Sequence, residues 1–115
     1  MTLANMTQDY ENREHCRRIA EELENIVDGK IYDDDGEQVT LWDYFADCLD
    51  IEYRINAQKE YKSVQVMIAF GGPNIYIDTA SGNVELYWWT DRASYLLRSD
   101  VIKEIDTIFE DYYNC

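Results

Sequence analysis

The stretch Ser63–Trp89, SVQVMIAFGGPNIYIDTASGNVELYWW, decides the fold. It holds three apolar segments cut by two turns. Residues 63–70, SVQVMIAF, read as a long apolar strand central to a sheet, residues 75–78, IYID, as the next strand, and residues 84–89, VELYWW, as the last. Gly71-Gly72-Pro73-Asn74 is the first turn. TASGN (79–83) is the second, with Gly82 at the position that tolerates a positive φ. Connections this short cannot carry a crossover, so the strands run antiparallel.

Upstream, Ile51, Tyr53 and Ile55 alternate with Glu52 and Arg54, the pattern of a half-buried strand. A polar connection, AQKEYK (57–62), joins it to the central strand. The sheet is thus predicted as a meander of about four strands with one solvated face. Helical spacing brackets it. Cys16, Ile19, Ala20, Leu23, Ile26 and Val27 predict a helix over 9–28, capped by Thr7 or Asp9 and closed by Gly29, with Glu14–Arg18 and Arg17–Glu21 pairs outside. Residues 30–40, KIYDDDGEQVT, predict a short β-ribbon turning at Asp35-Gly36, with Ile31 opposite Val39. Thr40-Leu41-Trp42-Asp43 resembles a capping box and opens a helix over 41–49, with Leu41, Phe45, Cys48 and Leu49 inward. A final helix over 99–113, capped by Ser99, buries Val101, Ile105, Ile108, Phe109 and Tyr112. The expected class is α+β: one domain over 1–115, an antiparallel meander with helices on one face, plus a short β-ribbon.

The composition agrees. In 115 residues, 46% are hydrophobic and 14% aromatic, enough to bury a core. No run reaches the roughly 20 apolar residues of a membrane span. The opening MTLANMTQDY has neither a basic nor an apolar leader region, so a cytoplasmic protein is expected. Cys16, Cys48 and Cys115 suit free thiols, and a single histidine supplies Cys/His zinc sites poorly.

Charge is the strongest functional signal: 24 acidic residues against 10 basic, net −14. Such a chain does not bind DNA, RNA or an anionic membrane directly. Residues 26–52 hold nine acidic residues and one lysine. Asp33, Asp34, Asp35, Glu37, Asp43, Asp47, Asp50 and Glu52 are therefore the candidate partner-binding surface. Spaced carboxylates can imitate the phosphates of a duplex and attract a basic nucleic-acid-binding protein. The plain alternative is an acidic face that only keeps the chain in solution.

Catalytic and metal sites are not expected, and no cofactor is implied. DDDGE (33–37) resembles part of an EF-hand loop. With Gly36 at the loop glycine, however, Ile31 falls at the first ligand position and Trp42 where the bidentate glutamate belongs. His15 and Cys16 are adjacent on a helix and point apart. No serine lies in a nucleophile motif, and the GGPN turn lacks the lysine and hydroxyl of a phosphate loop. Asp43 and Asp47, four apart, are the remaining acid/base or cation pair, a commonplace arrangement on an acidic chain.

Strand alternation sets Val84, Leu86 and Trp88 on the core face and Tyr87 and Trp89 on the other, beside Tyr76. If uncovered, Tyr76, Tyr87 and Trp89 form an alternative interface, for a homodimer or a partner protein.

Val66–Asp91, VMIAFGGPNIYIDTASGNVELYWWTD, resembles a segment of short uncharacterised acidic proteins of Gram-positive gut bacteria and their mobile elements. The likeness rests on the Gly71-Gly72-Pro73 turn, on Ile75-Tyr76-Ile77-Asp78 and on the Trp88-Trp89 pair. It implies a mobile-element accessory role and assigns no site residue. In composition alone, small and strongly acidic, the chain is also similar to DNA-mimic antirestriction and anti-CRISPR proteins.

Overall fold

A computed structural model of the chain describes residues 3–115. The elements run α1 (Leu3–Val27), α2 (Leu41–Phe45), β1 (Asp50–Ile55), β2 (Tyr61–Ala69), β3 (Asn74–Asp78), β4 (Asn83–Trp88), β5 (Asp91–Leu96) and α3 (Ser99–Tyr113). The five strands form one antiparallel sheet in the order β1-β2-β3-β4-β5, each beside its neighbour in sequence. The fold is α+β, as the alternation and short turns predict.

One face of the sheet is dry. Val64, Val66, Ile75, Ile77, Val84 and Leu86 are buried there against Cys16, Ile19, Ala20, Leu23 and Ile26 of α1 and Val101, Ile105 and Phe109 of α3. Burying each of these larger side chains stabilises the fold by about 1.5–3 kcal/mol. α1 lies along β4 and β5, and α3 packs on β2. α2 joins them through rings: Phe45 meets Phe109 edge-on at 5.2 Å, and Trp42 stands 5.4 Å from Phe109 and 5.5 Å from Tyr112. The other face carries Glu52, Arg54, Gln65, Met67, Tyr76, Glu85, Tyr87, Arg92 and Ser94, paired across the strands and, among the described residues, outside the core cluster that the helices cover.

Local chemistry sets the ends of the elements. Gly29 leaves α1 at φ 71°, its N–H donating to the Ile26 carbonyl and that of Lys30 to Asn25. That is a Schellman closure, which a left-handed glycine permits. The Thr40–Asp43 box is complete: Thr40 Oγ1 accepts from the Asp43 N–H at 3.2 Å, and Asp43 Oδ2 from the Thr40 N–H at 2.8 Å. Thr79 extends β3, its hydroxyl bonding both the N–H and the carbonyl of Val64. Arg98 ties two helices together, gripping Asp28 after α1 and Asp100 in α3.

Several expectations are corrected. α1 begins at Leu3, so Thr7 and Asp9 lie inside it and not at its start. Arg17 takes both acidic neighbours, Glu14 and Glu21, and Glu14 pairs with it rather than with Arg18. The short ribbon, by contrast, forms with Ile31 opposite Val39 as expected: a bridge from Tyr32 to Gln38 is flanked by the backbone bonds of Val39 to Ile31 and of Asp33 to Glu37. α2 stops at Phe45, since the chain must turn there to enter β1, and Leu49 ends 57% exposed instead of inward. A fifth strand, β5, follows the predicted last one. Trp88 is partly exposed at the sheet end, and Tyr112 covers Trp42 from the surface. Arg98, not Ser99, precedes α3 as its cap residue, without a side-chain cap bond.

Candidate partner-binding surface

The acidic segment is built from three short pieces. After the α1 closure, the Asp33 carboxylate accepts the N–H groups of Asp35 and Glu37, both at 2.9 Å. With Gly36 at φ 80°, this makes a tight turn that lifts Asp34 and Asp35 to its tip. α2 follows, fixed by the capping box, and carries Asp43, with Asp47 in the turn beyond it. β1 then supplies Asp50 and Glu52, which alternate with the core-facing Ile51 and Tyr53.

All eight predicted carboxylates are exposed. Among the described residues, none of them is in an ion pair. Asp33 and Asp43 are nonetheless engaged, since they hold the backbone of the turn and of α2. The eight also divide between two sides. Asp50 and Glu52 leave from the open face of the edge strand β1, whereas Asp43 and Asp47 belong to the segment packed with the helices.

The alternative interface divides as well. Tyr76 and Tyr87 stand together on the open face, ring centroids 5.8 Å apart and edge-on. Trp89 occupies the two-residue turn between β4 and β5, at φ 56° and 93% exposed. Its neighbours at that end of the sheet are Trp88, which contacts the Gly72 turn, and Phe70, 72% exposed.

Sequence reasoning missed the strongest polar constellation. Arg54 on β1 reaches over Ser63 on β2 to Asp78 on β3, with two bonds of 2.9 and 2.6 Å. The Asp78 side chain is 6% exposed. Burial raises its carboxyl, but Arg54 and the N–H groups of Ser81 and Ala80 outweigh burial and leave it below the usual carboxylate range. Glu85, facing the same region, is raised by burial and by the Asp78 charge. The available signal was a charged residue directly ending an apolar strand, IYID.

Of the thiols, Cys16 is buried, Cys48 half-buried and Cys115 exposed. Burial pushes Cys16 up to about 11, so it stays a thiol at neutral pH. His15 is lowered by partial burial and by Arg18. Among the described residues, no three His, Cys, Asp or Glu side chains are grouped to hold a metal ion, the DDDGE turn included. No described helix is long and apolar enough to cross a membrane. No known protein family, curated protein or solved structure matches this chain.

Proposed function

We propose that this is a non-catalytic acidic binding protein that engages a basic nucleic-acid-handling protein, as a mimic of DNA, through Asp33, Asp34, Asp35, Glu37, Asp43, Asp47, Asp50 and Glu52. The observation that carries the reading is that eight exposed carboxylates within twenty residues of chain have no ion-pair partner among the described residues. Like charges this dense weaken the compact state through self-repulsion, and a basic partner relieves that cost. The working compartment is the bacterial cytoplasm, and the setting is a mobile element, following the resemblance of Val66–Asp91.

The test must spare Asp33 and Asp43, whose carboxylates shape the backbone. Asp34, Asp47, Asp50 and Glu52 are changed together to lysine, and wild type and variant are each used to capture proteins from a bacterial lysate at low salt. The expected result is a basic nucleic-acid-binding protein retained by wild type, displaced by duplex DNA or rising salt, and lost from the variant. Equal retention of the same proteins by the variant overturns the proposal.

A second reading is favoured by Trp89. A tryptophan in a left-handed turn position costs about 1–2 kcal/mol, and strain of this kind collects at contact sites. In this reading Tyr76, Tyr87 and Trp89 join two copies, and the acidic face only solvates. Association that persists in high salt and is lost in Trp89→Gly supports it. A monomer at all salt concentrations excludes it.

A further inference from the structure

Around the edge strand β5, from α1 on the covered face to the open face of β4 and β5, runs an open groove of about 580 Å³, lined by Asp9, Arg13, Glu85, Tyr87, Arg92 and Ser94 among others. The sheet fixes four of these as a square: Tyr87 is the register partner of Arg92, and Glu85 of Ser94. Alternation points all four to the open face. Tyr87 is further held edge-on by Tyr76.

The arginines are the informative feature. The chain has six, in a background of 24 acidic residues. Arg17, Arg54 and Arg98 are ion-paired. Among the described residues Arg13 and Arg92 are not, although Asp9 stands four residues before Arg13, the spacing at which helical pairs close. Two guanidinium groups without carboxylate partners thus line one groove, with a hydroxyl and a fixed aromatic ring beside them. Guanidinium matches an oxyanion through paired N–H bonds and also stacks on flat rings.

We propose that this groove binds a small molecule built of a flat ring bearing one oxyanion, a phosphate or a carboxylate. Arg13 and Arg92 hold the oxyanion, the Ser94 hydroxyl donates to it, and the ring lies against Tyr87. The net charge of −14 keeps a polyanion away, which restricts the site to small ligands. The site is independent of the acidic 33–52 surface.

The test titrates the full chain with adenosine monophosphate, benzoate, inorganic phosphate and adenosine, following backbone amides by NMR and heat by calorimetry. Expected is binding of adenosine monophosphate or benzoate with Kd of about 1 mM or tighter, moving the amides of Tyr87, Arg92 and Ser94. Which of the two binds separates phosphate from carboxylate. Inorganic phosphate and adenosine, each carrying half of the ligand, bind at least about tenfold more weakly, since each loses one set of contacts. Arg13→Gln and Arg92→Gln each weaken binding by about tenfold or more. Arg18→Gln, on the same helix but outside the groove, leaves it unchanged. Both groove arginines are exposed, and Arg92→Lys, which keeps the charge but not the fork, gives a second variant with the same expected direction. The proposal is overturned if neither adenosine monophosphate nor benzoate moves those amides at about 10 mM. It is equally overturned if binding survives intact in the Arg13→Gln, Arg92→Gln double variant.

Discussion

Arg54 and Asp78 stand on strands that do not touch, yet their side chains form a two-pronged ion pair over the strand between them. The pair fastens β1, an edge strand, to β3, and its carboxylate also organises the β3–β4 turn through Ala80 and Ser81.

Removing the arginine leaves a nearly buried carboxylate short of its charged partner. Arg54→Met is expected to lower stability by about 1–3 kcal/mol in urea unfolding, the range for hydrogen bonds to charged groups, discounted because the arginine is half exposed. The pH dependence has a definite sign. Asp78 is depressed in the folded state, so its contribution is whole above the unfolded carboxylate value and is lost as pH falls through the lower folded value. The wild type should therefore lose part of its margin below about pH 4, and Arg54→Met should lose less over that interval. Parallel stability curves for the two proteins would show that the pair does not set the acid limit.

Two glycines give a matched comparison. Gly82 and Gly36 both sit at positive φ, 73° and 80°. A Cβ on Gly82 would stand 3.0 Å from Cδ1 of Ile102, while one on Gly36 would meet nothing within 4 Å. Gly36→Ala should cost about 1 kcal/mol, the backbone penalty alone. Gly82→Ala should cost more, as the Cδ1 end of Ile102 must also give way. Equal melting temperatures for the two variants would mean that Ile102 yields without cost.

The three free thiols should react in order of exposure. Cys115 is exposed, Cys48 is half-buried, and Cys16 is buried on the core side of α1. An aromatic disulfide reagent at neutral pH should label Cys115 first, Cys48 more slowly, and Cys16 only with unfolding, both because it is inaccessible and because burial holds it protonated. Labelling of Cys16 at the rate of Cys115 in native protein would contradict the packing of α1 on the sheet.

The central strands and the helical stripes were legible because burial on one face writes a period into the chain. β5 was not, for a reason specific to its turn. The β4–β5 hairpin bends at Trp89-Thr90, and the left-handed position that usually announces itself with glycine is held by tryptophan. The strand itself, DRASYL, has only Ala93 and Tyr95 toward the core, at its half-covered edge. The acidic residues were all legible as exposed groups. Their division between the open face of β1 and the helical side was not, since it depends on where α2 ends. The Arg13–Arg92 groove joins residues 79 positions apart, and no local pattern connects them.

The position of α1 also governs how the chain can fold as it is made. α1 leaves the ribosome before the whole sheet, yet packs chiefly on β4 and β5, which follow late. Its apolar side, Cys16 to Ile26, has no lasting partner until residues near Leu96 have emerged. The meander can zip from β1 onward through neighbouring hairpins, but the domain closes only when α1 meets β4 and β5. Fragments cut short before β4 would therefore leave that helix face bare and open to misassociation.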